Sequence, residues 1–205
     1  MSDANANSRL ETFSDGVFAI AMTLLIIDVK LPSAASLGST AEVWRALARL
    51  GPAVFAFLLS FIIILITWVN HHGAMKLVRK SSAAFIYANG CLLLTVVFIP
   101  FPTSLMGDLL GSPHAAPAVV LYNAVIAVQS LAWVFVTTTA ITGGLVNDAP
   151  QALNTIRKSL RNGYVAVAFY SLLAIGAVWY PNGIAVITTL SWVFWLVLGL
   201  RLRHE

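Results

Sequence analysis

The sequence predicts an all-α integral membrane protein with six transmembrane helices. Three observations carry that reading. Of 205 residues, 59% are hydrophobic and only 10% charged, whereas soluble domains carry roughly a quarter charged residues. Long uncharged runs recur at lengths near the ~20 residues that span a bilayer. The basic residues sit in short clusters beside those runs, as membrane topology requires.

The first helix runs from about Arg9 to Leu31, with an uncharged centre from Gly16 to Ile27. That centre is short for a span, so its polar ends must reach interfaces or be buried in protein. The second helix covers 51–70. The third covers 83–103, with Pro100 and Pro102 ending or bending it. The fourth covers 117–143. No charged residue occurs between Arg161 and Arg201, and "WYPNG" at 179–183 is a turn that divides this stretch into spans at 163–180 and 184–200. The leading "MSDANANS" lacks a basic segment and reads as a short disordered end, not a signal peptide. No internal repeat or soluble domain is visible, so residues 1–205 read as a single transmembrane channel-sized domain with short loops.

Lys and Arg set the orientation. Arg9 precedes the first span, Lys76, Arg79 and Lys80 follow the second, Arg157, Lys158 and Arg161 follow the fourth, and Arg201 and Arg203 follow the sixth. Both termini are therefore expected in the cytoplasm. Lys30, Arg45 and Arg49 fall on the other side, where "AEVWRALARL" at 41–50 reads as a short amphipathic helix.

Several function classes drop out. The net charge of +4 comes from topological clusters and is no nucleic-acid signal. The lone Cys91 allows no intrachain disulfide and no zinc or redox spacing. There is no H-E-x-x-H and no specific Ser–His pairing, so an enzyme is not expected. A TVGYG-type filter loop and an arginine-repeat voltage sensor are both absent.

The chemistry gathers at the start of the first span, in "RLETFSD" at 9–15. Topology puts Trp68, Asn70, His71 and His72, at the end of span two, at the same depth as Asp15, together with Tyr87 and Asn89 at the start of span three. Arg9 lies six residues before Asp15, about 240° away around a helix, so the two do not face each other well. His71, His72 or Asn89 are better partners, because a carboxylate in lipid needs a partner or water. Asp15 reads as a latch between helices, as a cation-attracting group at a pore mouth, or as a proton carrier with His71 or His72. A metal shared by the adjacent His71 and His72 is disfavoured, since neighbouring helical side chains point about 100° apart.

Further along the same helix, Ile20, Leu24 and Ile27 fall at i, i+4 and i+7 and form one stripe bordered by Thr23. Such a stripe serves lipid contact or core packing. Copies of it around an axis would instead form aliphatic rings that gate by dewetting. Asp28 near the outer end either pairs with Lys30 or contributes charge to an outer mouth.

The motif R-x-x-x-F-S-D, formed by Arg9, Phe13, Ser14 and Asp15 and followed by "GVFAIAMTLLIIDVKLP", closely resembles the prokaryotic members of the transmembrane protein 175 family, relatives of the lysosomal potassium channel. "WVNHH" at the end of span two and "FIPFPTSLMGD" at the end of span three are similar to that family as well. The resemblance implies a homotetramer with six helices per subunit and a pore lined by four copies of the first helix. It implies that the motif ties this helix to its neighbours near the cytoplasmic side, which favours the latch. It places the constriction at Ile20, Leu24 and Ile27 and a contribution to potassium preference at Thr23. The expected protein is a potassium-permeable, potassium-preferring channel of a prokaryotic inner membrane, with no cofactor besides the permeant potassium ion. The competing expectations are a proton-permeable or proton-coupled transporter using Asp15 and His71, and a membrane scaffold without transport.

Overall fold

The computed structural model describes residues 4–33 and 37–201; Arg203 and the first three residues of the polar N-terminal tail lie outside them. The described chain is helical. It forms α1 (Ala4–Leu24), a 3-10 turn (Leu25–Asp28), α2 (Thr40–Arg49), α3 (Gly51–Met75), α4 (Ala83–Phe98), α5 (Pro100–Leu109), α6 (Ala115–Thr142), α7 (Pro150–Gly176) and α8 (Pro181–Arg201). Among the described residues, four stretches are long and apolar enough to cross a membrane: Asn7–Asp28, Gly51–Met75, Ala83–Leu109 and Ala115–Thr142.

The helix starts follow local rules. Proline stands in the first turn of α3, α5, α7 and α8, where its missing N–H would have no partner anyway. Serine hydroxyls cap α2 and α4: Ser39 accepts from the Glu42 N–H at 3.3 Å and Ser82 from the Phe85 N–H at 3.2 Å.

Four expectations change. The polar tail is no disordered end from Ala4 onward, because α1 begins there and the Asn7 amide donates to the Val78 carbonyl at 2.6 Å. The second span runs on to Met75 and carries His71 and His72 inside its last turns. The third breaks at Ile99 but continues as α5 to Leu109, since Pro100 and Pro102 fit the first turn of a new helix as readily as they end an old one. The fifth is a longer helix that starts at Pro150, the charged "IRKSLR" being good helix sequence outside the apolar run.

α6 is the central helix. It packs along α7 and α4 and also touches α5 and α8. Around it lies a core that includes Phe18, Leu25, Ile63, Ile64, Ile99, Met106 and Tyr122. Buried polar contacts stitch the helices together. Ser60 on α3 meets Thr103 on α5 at 2.6 Å and the Tyr122 hydroxyl on α6 at 2.9 Å. Thr188 on α8 donates to Asn123 on α6 at 2.9 Å, and Trp133 on α6 donates to Ser159 on α7 at 3.0 Å. Between apolar helices such bonds and close contacts replace the hydrophobic drive that water would supply.

The start of α1 and the loops after α3 and α6 meet at one end of the bundle. There Val78 and Val146 form an antiparallel bridge, the Arg79 N–H donates to the Leu145 carbonyl at 2.9 Å, and Arg79 pairs with Asp148. Gly144 makes the turn into this bridge with φ +59°, a left-handed value that favours glycine. The connections before α3, between α5 and α6, and between α7 and α8 gather at the opposite end, around a shared groove. At this opposite end the connections between α5 and α6 and between α7 and α8 carry no Lys or Arg, whereas the connection before α3 carries Lys30, Arg45 and Arg49.

Close approach of α5 to α3 depends on Gly107, where an added Cβ would lie 3.0 Å from the Ala53 Cα. Gly107→Leu should lower thermal stability in detergent by about 1–3 kcal/mol, the usual penalty of overpacking. Gly73→Leu, at a position with open space, should not. Equal melting midpoints for the two variants would contradict this close contact.

Candidate functional site: the two faces of α1

α1 carries two seams. Ser14, Phe18, Ala21 and Leu25 recur at spacings of four, three and four, and all are buried. This seam faces α3 and α4, the helices that α1 touches most. The adjacent positions Phe13, Ile20, Leu24 and Ile27, offset by about 100°, form a second, exposed seam. Ile20 is 60% exposed, Leu24 38% and Ile27 56%. The tightening of the last turn to 3-10 keeps Leu24 and Ile27 in line, because residues three apart eclipse in that geometry. Thr23 is exposed on the same side and donates its hydroxyl proton to the Ile20 carbonyl at 2.8 Å, leaving its oxygen lone pairs turned outward from that bond.

Two sets of contacts fix the rotation of α1. The first is a one-way chain of hydrogen bonds. His71 lies 2.7 Å from Asn89 Oδ1; that oxygen can only accept, so His71 Nε2 carries the proton. The Asn89 amide then donates to Ser14 Oγ at 3.0 Å, and Ser14 donates to the Leu10 carbonyl at 2.8 Å. All three side chains are buried. Phe18 packs its ring 5.4 Å from that of His71.

The second set is half-buried. The Trp68 indole N–H donates to Asp15 Oδ1 at 2.8 Å, and the Trp68 and His72 rings stack at 5.7 Å. His72 Nδ1 lies 3.0 Å from Glu11 Oε1, an ion-pair distance when His72 is protonated.

The expected residues therefore assemble, with different pairings. Trp68, His72 and Asn89 reach the 9–15 stretch and His71 joins it through Asn89, whereas Tyr87 and Asn70 are exposed. Asp15 takes Trp68 and not His71, His72 or Asn89; the buried partner of Asn89 is Ser14. Arg9 and Phe13 stand on the exposed side of α1, so the four motif residues divide between the two seams. Asp15 and His71 belong to separate contact sets. Asp28 lies 3.7 Å from Lys30, as its interfacial reading expected.

Glu11 escaped the sequence reading, although its position four residues before Asp15 puts both carboxylates on one helix face. Glu11, Asp15 and His72 offer ligand atoms within 4.8 Å of one another, and these three, not the two adjacent histidines, are the residues that could share a divalent cation.

The buried chain predicts a definite cost. Ser14→Ala leaves the Asn89 amide without its acceptor and should destabilise the folded protein by about 1–2 kcal/mol. A thermal melt of the purified protein checks this, and an unchanged midpoint would contradict the described bond.

Comparison with known proteins identifies the family. Residues 9–100 match the family model described as "Endosomal/lysosomal potassium channel TMEM175". The chain is 44% identical over 120 residues to "Potassium channel Cha6605_3372" of Chamaesiphon minutus, an alignment covering 58% of this chain and 59% of that one. It is 38% identical over 177 residues to "Potassium channel B446_29190" of Streptomyces collinus, covering 82% and 84%. The fold matches the crystal structure of "a lysosomal potassium-selective channel TMEM175 homolog" from Chamaesiphon minutus with a TM-score of 0.77 and 31% identity, over 92% of this chain and 96% of that one. These relatives are ion channels, not enzymes. The chain belongs to the TMEM175 family.

Proposed function

We propose that the protein is a potassium-permeable, potassium-preferring cation channel of a prokaryotic inner membrane, assembled as a homotetramer around four copies of α1. The observation that carries this reading is the unpartnered aliphatic seam of α1 beside a seam locked by buried hydrogen bonds. In lipid, an aliphatic seam alone is unremarkable. A helix held in rotation by polar side chains while its oily side stays free of the chain's own bundle is suited to an axis. The names of the relatives support the same reading.

In this reading residues 1–205 form one transmembrane domain. α7 and α8 add the fifth and sixth spans, and both termini lie in the cytoplasm. Ile20, Leu24 and Ile27 form successive rings that stop ions when dry, because an aliphatic ring offers a cation no ligand. Potassium sheds water more readily than sodium, so such a constriction favours it modestly, and the Thr23 oxygens supply a partial substitute for lost water. The contacts of Ser14 and Asp15 act as a latch that positions the helix. Asp28 lies at the outer mouth. No cofactor is needed beyond the permeant ion.

Reconstitution in liposomes tests this. Reversal potentials under potassium, sodium and proton gradients should show potassium permeating more readily than sodium, and Ile20→Asn should raise the leak by wetting the first ring. Proton-coupled uptake that Asp15→Asn abolishes, with flux indifferent to Ile20→Asn, would replace the channel by the transporter reading.

A further inference from the structure

The three cations on the side opposite the N-terminus have no part in the conduction path described so far. Lys30 is taken by Asp28. Arg45 and Arg49 lie on α2, one helical turn apart, and neither has a carboxylate within ion-pair distance among the described residues. α2 is a firmly built helix. Ser39 caps it, and Glu42 accepts the Gly38 N–H at 2.6 Å, so its one acid is occupied at the N-terminus.

The faces of α2 are sharply divided. Val43, Trp44 and Leu47 share one arc and are exposed, Trp44 to 69%. Glu42, Arg45 and Arg49 occupy the opposite arc. Only the edge at Ala46 is buried. α2 therefore rests on the bundle by an edge and turns its apolar face away from it. It ends at Arg49, immediately before the candidate span of α3 begins at Gly51. Trp179 and Tyr180, both exposed, mark the same end at the turn into α8. Tryptophan and tyrosine prefer this level of a bilayer.

Beside the start of α3, which follows α2 directly in the chain, opens a groove of about 360 Å³. Pro52 and Phe55 of α3, Leu110 and Gly111 of the connection to α6, and Ala185 and Val186 of α8 line it. Its exposed surface is mostly apolar, with Asn182 as the polar side chain of its lining, and Arg49 stands two positions before Gly51 on its rim.

We propose that α2 and this groove form a seat for an anionic membrane lipid in the leaflet away from the N-terminus. The arc of Val43, Trp44 and Leu47 enters the acyl boundary, an acyl chain lies in the groove, and Arg45 and Arg49 hold the headgroup phosphate. A guanidinium presents a planar fork to phosphate oxygens, so two of them on one helix turn form a cradle for that group. The seat accounts for basic residues that run against the positive-inside pattern, since their partner is a lipid charge and not the cytoplasm.

Two measurements test it. The first is native mass spectrometry of the purified assembly with phosphatidylglycerol or phosphatidylcholine. Two surface arginines at roughly 1 kcal/mol each give about a thirtyfold preference for the anionic lipid, which Arg45→Gln with Arg49→Gln should abolish. Retention of that preference in the double variant would overturn the proposal. The second is a spin label at Trp44→Cys in a Cys91→Ser background, in phosphatidylglycerol vesicles. Access to oxygen above access to a water-soluble nickel chelate is expected. Free access to the chelate would overturn the seat, and so would a label closed to both colliders that cross-links between subunits, since a second copy of the chain would then cover α2.

Discussion

The rotation of α1 about its own axis is the constraint on which the rest of the structure depends. One residue separates Ala21, which is fully buried, from Ile20, which is largely exposed. A rotation of about 100° would exchange them. Apolar packing alone resists such a rotation weakly in a helix that is oily on most sides. The directional bonds of Ser14 with Asn89 and of Asp15 with Trp68 resist it strongly, because each has a single geometry and breaking either leaves a polar group unpaired. In the proposed reading the charged motif positions the helix, and the chemistry belongs to the aliphatic residues roughly one and a half to three turns further on.

The same economy recurs through the bundle. Serine, threonine, asparagine and glutamine side chains sit where helices meet, as in the Ser60–Thr103–Tyr122 cluster and in Gln129 with Thr67. Many hydroxyls also return a bond to their own helix, as Thr67 does to the Ile63 carbonyl, which satisfies those donors within the helix. Glycine complements them at Gly107 and Gly163, where a Cβ would press on Ala53 and Val134. Neighbouring helices are held by fit and a few placed bonds, while α1 keeps one side free of its own chain.

Much of this was legible in the sequence because depth is a one-dimensional quantity. Counting residues from a polar boundary puts Trp68, His71, His72 and Asn89 level with Asp15; Trp68, His72 and Asn89 touch the 9–15 stretch, and His71 joins it through Asn89. Azimuth is not one-dimensional. Which of the four faces Asp15 depends on how α3 and α4 are turned, and the sequence carries no direct sign of that. Trp68 and the two histidines are all within one helical turn, so a small rotation chooses among them. Charge does not mark the helix ends. "IRKSLR" is helical at the start of α7, and the prolines of the third span begin a helix as well as end one. The bond of Asn7 to Val78, which ties the polar tail to the loop after α3, has no local signature at all.

The exposed seam of α1 makes the central claim open to direct inspection. In a Cys91→Ser background, cysteines introduced singly as Ile20→Cys, Leu24→Cys, Ala21→Cys and Leu25→Cys can be probed with silver ions during potassium flux into liposomes. Block at Ile20→Cys and Leu24→Cys, with Ala21→Cys and Leu25→Cys unaffected, is the predicted result. Block confined to the buried positions, or absent at all four in a conducting protein, would contradict a pore lined by this face.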